Sequence, residues 1–467
     1  MEHRAVVPAP LPAPLLDEVR AVLGQRLCTD LPSLEARSRD VSHHGPGPPQ
    51  AVARVQCEQE VVAVVRACVR HRVPLIPYGT GTAVEGGIVA VQGGVCVDLG
   101  GMDRIVEVNP ADLDATVQAG VTRKALNRHL EELGTELFFP VDPGADASLG
   151  GMAATRASGS AAVRYGTMRE NVLGLRAVLG DGRAIHTGGR ARKSAAGYDL
   201  TRLLVGSEGT LGVITEVTLR LARKPAAISA AVCVFGDLEA ALAAVIEVMG
   251  EGIPVARMEF LDELQIEAVN RYSGLSCPVK PTLFFEFHGS PAGVEEQALA
   301  AGQIARRHGG ADFAWAATPE ERQRLWQARH DAYLACLALR PGAAGYVTDV
   351  CVPISALAQA MARAKAAVAA SPLQGVFLGH VGDGNFHIVF LVDPGSSEEI
   401  AEARRLNEGL VAGALALGGT CSGEHGIGLG KIAALEQEAG EGVEVMRAIK
   451  RVLDPHQIMN PGKVLRG

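Results

Sequence analysis

Pro77-Tyr78-Gly79-Thr80-Gly81-Thr82-Ala83-Val84-Glu85-Gly86-Gly87 follows directly on the apolar run Val73-Pro74-Leu75-Ile76. The run reads as a strand, and the glycines after it leave backbone N–H groups unshielded, an arrangement that suits a pyrophosphate. A dinucleotide is therefore a candidate occupant. A nicotinamide-type fingerprint counted from Gly79 needs glycine at 84, where this chain has Val84. A P-loop ending at Gly430-Lys431 needs glycine at 425 and Ser or Thr at 432, and the chain has His425 and Ile432. Taken alone, the stretch reads equally well as two loose turns.

Working outward, Pro143-Gly144-Ala145-Asp146-Ala147-Ser148-Leu149-Gly150-Gly151-Met152 runs on to Ser158-Gly159 and Tyr165-Gly166. It is too long and too small in side chains for a turn, and loops beyond ~12–15 residues in compact domains are usually functional. Gly206-Ser207-Glu208-Gly209-Thr210-Leu211-Gly212 is a third such loop. Three of them within one stretch of chain can wrap an extended ligand.

Composition narrows the class. Of 467 residues, 48% are hydrophobic and 21% charged, the balance of a folded globular protein. The 55 glycines cluster without a fixed period, which excludes collagen. With 44 basic against 52 acidic residues, net −8, and no long basic run, nucleic acid is not an expected partner. Nine scattered cysteines without a Cys-x-x-Cys pair suit reduced thiols in the cytoplasm and offer no iron–sulfur ligand set. The start, with Pro8, Pro10, Pro12 and Pro14, has no signal-like apolar run. The longest near-apolar stretch, Leu410 to Gly418, is far short of the ~20 residues of a membrane helix, so any membrane contact is expected to be peripheral, at the inner face.

Residues 1–47 read as an amphipathic helix (Leu15, Leu16, Val19, Val22, Leu23) and a loop, with the first domain expected after them. A domain over 48–224 would hold the glycine loops. Its hairpin, 172–179 and 183–187, carries Asp181-Gly182, a dipeptide favoured in type I′ turns. After Lys224-Pro225 strands and helices alternate, marking a second domain over 225–410, and 411–467 forms a closing segment. Thr318-Pro319-Glu320-Glu321 predicts a capped helix start, with Arg329 on that helix. A continuous strand is expected over 346–352.

The most informative chemistry lies in Gly379-His380-Val381-Gly382-Asp383-Gly384-Asn385-Phe386-His387 and Gly423-Glu424-His425-Gly426. Two histidines flanking a glycine turn can converge, and a carboxylate would complete a divalent-metal site with open positions, zinc or manganese by donor type. Glycines on both sides of Glu424-His425 let one side chain bind metal while the other acts as a base. Asp383 and Asn385 read as turn formers. Each histidine separately could instead be a hydrogen-bonded core residue.

Taken together, these loops and the closing Asn460-Pro461-Gly462-Lys463 resemble the FAD-linked 2-hydroxyacid dehydrogenases of the vanillyl-alcohol oxidase type over about residues 50–467. The likeness is nearest to the cytochrome-linked D-lactate dehydrogenases, through Val141 to Ser148, Arg164-Tyr165-Gly166-Thr167-Met168-Arg169 and Thr348-Asp349-Val350-Cys351-Val352-Pro353-Ile354-Ser355. The resemblance implies an α+β fold: a two-part FAD-binding domain and an α+β cap with an antiparallel sheet. It implies that FAD is held by Pro77, Tyr78, Gly79, Thr80, Gly81, Thr82, Pro143, Gly144, Ser148, Gly150, Gly151, Ser158, Gly159, Tyr165, Gly166, Glu208, Gly209, Val213, Ile214 and Asn460. It also implies His380, His387 and Glu424 as metal ligands, His425 as base and Arg329 as the substrate-carboxylate clamp. The chain departs from the pattern at Arg156, where the family carries glycine. With no His or Cys between Gly79 and Gly87, a covalent flavin link there is not expected.

The expected activity is FAD- and metal-dependent oxidation of a small D-2-hydroxy acid, D-lactate first, with electrons passed to a cytochrome, flavoprotein or quinone. A homodimer is compatible with this. D-2-hydroxyglutarate is the alternative within the family, but Ile388-Val389-Phe390 after His387 offers nothing for a second carboxylate. A metal-dependent hydrolase would leave the glycine loops unexplained, and a non-catalytic nucleotide-binding module would leave the histidine cluster unexplained.

Overall fold

The computed structural model describes residues 9–316 and 318–466. The chain divides into two units, the first made of Met1–Ser158, Gly166–Lys224 and Glu424–Gly467, the second of Gly159–Tyr165 and Pro225–Gly423.

Besides a two-stranded pairing of Leu137–Phe138 with Ala222–Arg223, the first unit holds two larger sheets among its described residues. In one, Leu27–Cys28 pairs antiparallel with Ala51–Arg54, and Ala51–Arg54 and Leu75–Tyr78 each pair parallel with Val95–Asp98. The other is antiparallel throughout, in the order Ile105–Asn109, Asp114–Gln118, Gly212–Arg220, Val172–Leu179, Ala184–Gly188. The N-terminal segment belongs to this unit and is no separate preface. Leu15, Val19 and Leu23 recur every fourth residue on the helix Ala13–Leu23, and their shared face is buried in the core with Val61, Val64 and Val65. The hairpin turn also differs from the type I′ expectation. Leu179 N–H donates to the Arg183 carbonyl across three residues, and only Gly182 has a positive φ (80°), the three-residue loop with glycine in the left-handed position.

The second unit is built on an eight-stranded sheet whose pairings are all antiparallel. Its main path runs Ala311–Ala316, Ala227–Val234, Thr282–Gly289, Val255–Leu261, Gly375–Gly379, Asn385–Val392, Ala344–Val347. Val350–Cys351 pairs separately with Asn385–Val392. The expected strand 346–352 is thus broken at Thr348-Asp349, because both residues are engaged from the side. Thr348 accepts from His387 Nδ1 through its carbonyl (3.0 Å) and from Ile388 N–H through its hydroxyl (2.9 Å). The Asp349 carboxylate accepts from Asn385 Nδ2 and Ser422 Oγ at 2.8 and 2.9 Å. Helices pack on the sheet, among them Glu263–Ser273, which buries Ile266 and Val269. The helix Ser397–Ala416 runs unbroken through residue 410, so the division falls at 423/424 instead of 410/411.

Candidate active site

In the first unit the three glycine loops come together through positions that tolerate no side chain. A Cβ on Gly79 would stand 2.3 Å from Ser148 Oγ, one on Gly150 2.4 Å from the Ala119 Cβ, and one on Gly209 2.9 Å from the Pro77 ring. The cavity between them is lined by Pro77, Gly79, Thr80, Gly81, Thr82, Pro143, Ser148, Gly150, Gly151, Ser158, Glu208, Gly209, Ile214 and Asn460, all anticipated from sequence. Glu424 and His425 line the same cavity.

Six of the anticipated cofactor residues are not on this wall. Val213 lies wholly in the core behind it. Tyr78 faces Arg37, whose guanidinium sits 5.6 Å from the ring centre. Gly144 and Gly166 hold turns at φ 83° and 75°. Gly159 and Tyr165 belong to the second unit, where the Tyr165 hydroxyl lies 2.7 Å from His288 Nδ1. Arg156 takes the left-handed conformation (φ 55°) that ends the helix Leu149–Thr155, a position glycine favours, and its guanidinium donates to the Val205 carbonyl at 3.0 Å.

The floor of the cavity is a buried polar hub. Glu208 accepts from Ile427 and Gly428 N–H at 2.7 and 2.8 Å, which fixes the turn after His425. A Cβ on Gly426 (φ 83°) would meet that carboxylate at 2.7 Å. Burial raises the Glu208 carboxyl, an effect the two N–H groups oppose. Lys431 pairs with Glu85 at 3.1 Å. Lys463 donates to Asn460 Oδ1 at 3.1 Å, and burial pushes its amine down to about 7. His425 Nε2 and Glu424 Oε1 are 4.0 Å apart.

In the second unit His380 and His387 come together as expected. Their rings lie edge to face, 5.7 Å between centres, with a ring nitrogen of each within 4.8 Å of the other. His380 closes the strand Gly375–Gly379 and His387 lies on Asn385–Val392, and these strands pair across the glycine turn. Each Nδ1 has a partner of acceptor type: Glu259 Oε1 at 2.6 Å for His380 and the Thr348 carbonyl at 3.0 Å for His387. This outer arrangement is the one that fixes metal-ligating histidines with Nε2 as donor atom, so the pair fits a divalent ion. A Cβ on Gly423 would crowd Asn385 Nδ2 and Asp349 Oδ1, and Glu424, the third expected ligand, is the next residue in the chain.

Arg329 donates from Nε to Glu259 Oε2 at 2.6 Å. Burial would raise the Glu259 carboxyl, but His380 and Arg329 outweigh it and hold it below the ordinary value. Sequence reading missed Glu259. In the strand Val255–Leu261 it alternates with apolar residues and looks solvent-facing, yet it is fully buried. Asn385, read as a turn former, ties its amide to Asp349 and the Val350 carbonyl.

Three comparisons with known proteins extend these observations. Residues 49–188 match the FAD binding domain family and residues 224–464 the family described as FAD linked oxidases, C-terminal domain. These family matches, with a glycine-loop cavity in one unit and a large antiparallel sheet in the other, define an FAD-dependent oxidoreductase with the fold of the vanillyl-alcohol oxidase class. Solved structures share the fold: 4-ethylphenol oxidase from Gulosibacter chungangensis superposes with a TM-score of 0.80 over 98% of both chains at 17% identity, and p-cresol methylhydroxylase with 0.79 over 97% of this chain and 96% of its own at 18%. The chain belongs to the FAD-linked oxidase family. Among its relatives are a protein named probable D-lactate dehydrogenase, mitochondrial, from Danio rerio, 52% identical over 92% of this chain and 87% of its own, and D-lactate dehydrogenase [cytochrome], mitochondrial, from Arabidopsis thaliana, 46% identical over 97% and 80%. Among the described residues no helix is long and apolar enough to cross a membrane.

Proposed function

We propose that this protein is an FAD- and divalent-metal-dependent dehydrogenase of small D-2-hydroxy acids, D-lactate foremost, yielding the 2-oxo acid. The observation that carries the reading is the identity of about half over nearly the whole chain to proteins named D-lactate dehydrogenase, in a chain with the expected histidine pair and arginine. In this reading Arg329 binds the substrate carboxylate with its terminal nitrogens, since its Nε is held by Glu259. His380, His387 and Glu424 hold the cation, and His425 takes the hydroxyl proton on its ring. A bound zinc or manganese ion supplies the Lewis acidity that lowers the hydroxyl pKa. Bound FAD supplies the acceptor for the electron pair leaving C2.

The strand after His387 buries Ile388, Val389 and Phe390 and presents no cation to a second carboxylate, which favours D-lactate over D-2-hydroxyglutarate. The electrons go on to a cytochrome, flavoprotein or quinone, a cytochrome being the acceptor named for the plant relative. Residence in a reducing compartment agrees with nine cysteines outside any disulfide; we favour the cytoplasm, although the relatives' names say mitochondrial.

Anaerobic titration tests the reading. D-Lactate should bleach the flavin bands, L-lactate should not, and D-2-hydroxyglutarate should do so far more slowly. A chelator should stop the bleaching while the flavin stays bound. Equal bleaching by both lactate enantiomers, or none by D-lactate, removes it.

A further inference from the structure

We propose that Glu259 is a positioning residue that, with its two carboxylate oxygens, sets the tautomer of His380 and the orientation of Arg329 together. The inference rests on reading His380 as a metal ligand and Arg329 as the carboxylate clamp. Glu259 sits in mid-sheet, its strand paired on one side with Thr282–Gly289 and on the other with Gly375–Gly379, between the buried Met258 and Phe260. A carboxylate removed from water is strongly disfavoured unless its lone pairs are taken up. Both oxygens are engaged, one by Arg329 Nε and one by His380 Nδ1, each at 2.6 Å.

The chemistry of the side chain then dictates what its partners do. An ionised carboxylate only accepts, so both partners must donate. His380 therefore carries its proton on Nδ1, which puts the lone pair on Nε2, the nitrogen a cation takes. Arg329 is gripped through Nε, so its two terminal nitrogens turn together as a fork. Glutamine has the same length but one acceptor and one donor end. In Glu259→Gln the amide oxygen must face the Arg329 Nε–H, because a guanidinium cannot accept, so the NH2 group faces His380 and drives the imidazole proton to Nε2. His387 supplies the internal comparison, because its Nδ1 is held by the Thr348 backbone carbonyl, which no side-chain exchange alters.

The test uses the full-length, FAD-loaded protein with 15N-labelled histidine at pH 8, stripped of metal, and long-range proton–nitrogen spectra assigned with His380→Asn and His387→Asn. Wild type should show both rings as Nδ1–H. Glu259→Gln should move His380 alone to Nε2–H and weaken zinc binding, read by competition with a coloured chelator, by roughly the 10–100-fold typical of lost outer-shell partners. KM for D-lactate should rise as well. An Nε2–H His380 in wild type overturns the proposal without any variant. So does a Glu259→Gln protein that keeps Nδ1–H, or binds zinc within twofold of wild type. Wild type that binds no zinc while the tautomer still switches would remove the metal reading and leave the role of Glu259 standing.

Discussion

Asn460 donates from its side-chain amide to the backbone carbonyl of Glu208 at 2.8 Å, and its second amide hydrogen reaches the Gly87 carbonyl at 2.9 Å. One side chain near the end of the sequence thus fastens two of the three glycine loops. Both Asn460 (φ 40°) and Glu208 (φ 50°) hold left-handed backbone that non-glycine residues rarely adopt. Such strain persists only where surrounding bonds impose it, and here the Glu208 carboxylate, the Asn460 amide and the turn at residues 426–428 impose it on one another.

Asn460→Ala should therefore weaken flavin retention. It leaves two carbonyls of the cavity floor without their donor, and each buried orphan costs roughly 1–3 kcal/mol. The variant should melt earlier than wild type and elute from gel filtration with a lower ratio of flavin to protein absorbance. A full flavin ratio at an unchanged melting temperature would show that the floor is held by other means.

Lys463 gives a pH dependence of definite sign. Its amine titrates at 10.5 when unfolded and at about 7 in the folded protein, because burial disfavours the charge. Between those values the unfolded chain holds a proton the folded one lacks, so stability rises with pH across the window, by up to about 1.4 kcal/mol per pH unit. The penalty is complete below 7 and gone above 10.5. In flavin-free protein, Lys463→Met should exceed wild type in denaturation midpoint at pH 7, with the gap narrowing by pH 9. A constant gap would place the Lys463 pKa outside this range.

The sequence made some of this legible and hid the rest for physical reasons. The switch in pattern at Lys224-Pro225 coincides with a unit boundary, and Thr318 and Glu321 form the reciprocal cap their spacing predicts. The histidines could be paired because a glycine turn makes their strands neighbours. Glu259 stayed hidden because alternation on a strand cannot distinguish a solvent face from a buried face whose polar residue is matched by Arg329, 70 positions away, and His380, 121 positions away. Tyr165, read as part of a flavin loop, joins the other unit because its partner His288 lies there; a local motif says nothing of so distant a bond.

The flavin should be noncovalent at the first glycine loop. Residues 79–87 contain neither His nor Cys to bond the isoalloxazine, and the loop packs against Ser148 at Gly79 and against Gly209 at Pro77. Acid precipitation should carry the yellow colour into the supernatant. Colour that remains with the washed pellet would mean a covalent link elsewhere in the cavity.

The roles proposed for His425 and Arg329 separate in kinetics. A positioned base acts on the proton in flight, so His425→Ala should lose roughly 10²–10⁴-fold, mainly in kcat, with flavin and metal still bound. The turn that carries it should survive, since Ile427 and Gly428 are fastened to Glu208 through backbone N–H groups that the substitution leaves in place. Arg329→Ala removes a charge-assisted clamp that holds the carboxylate before and during reaction, so KM should rise strongly. It also leaves Glu259 with His380 as its one remaining strong partner, so a further fall in kcat should follow from a misplaced C2 and a loosened His380. Arg329→Lys restores the charge without the fork and should recover little of the KM. Steady-state kcat and KM for D-lactate across the three variants decide the assignment: an unchanged KM in Arg329→Ala removes the clamp, and a wild-type kcat in His425→Ala removes the base.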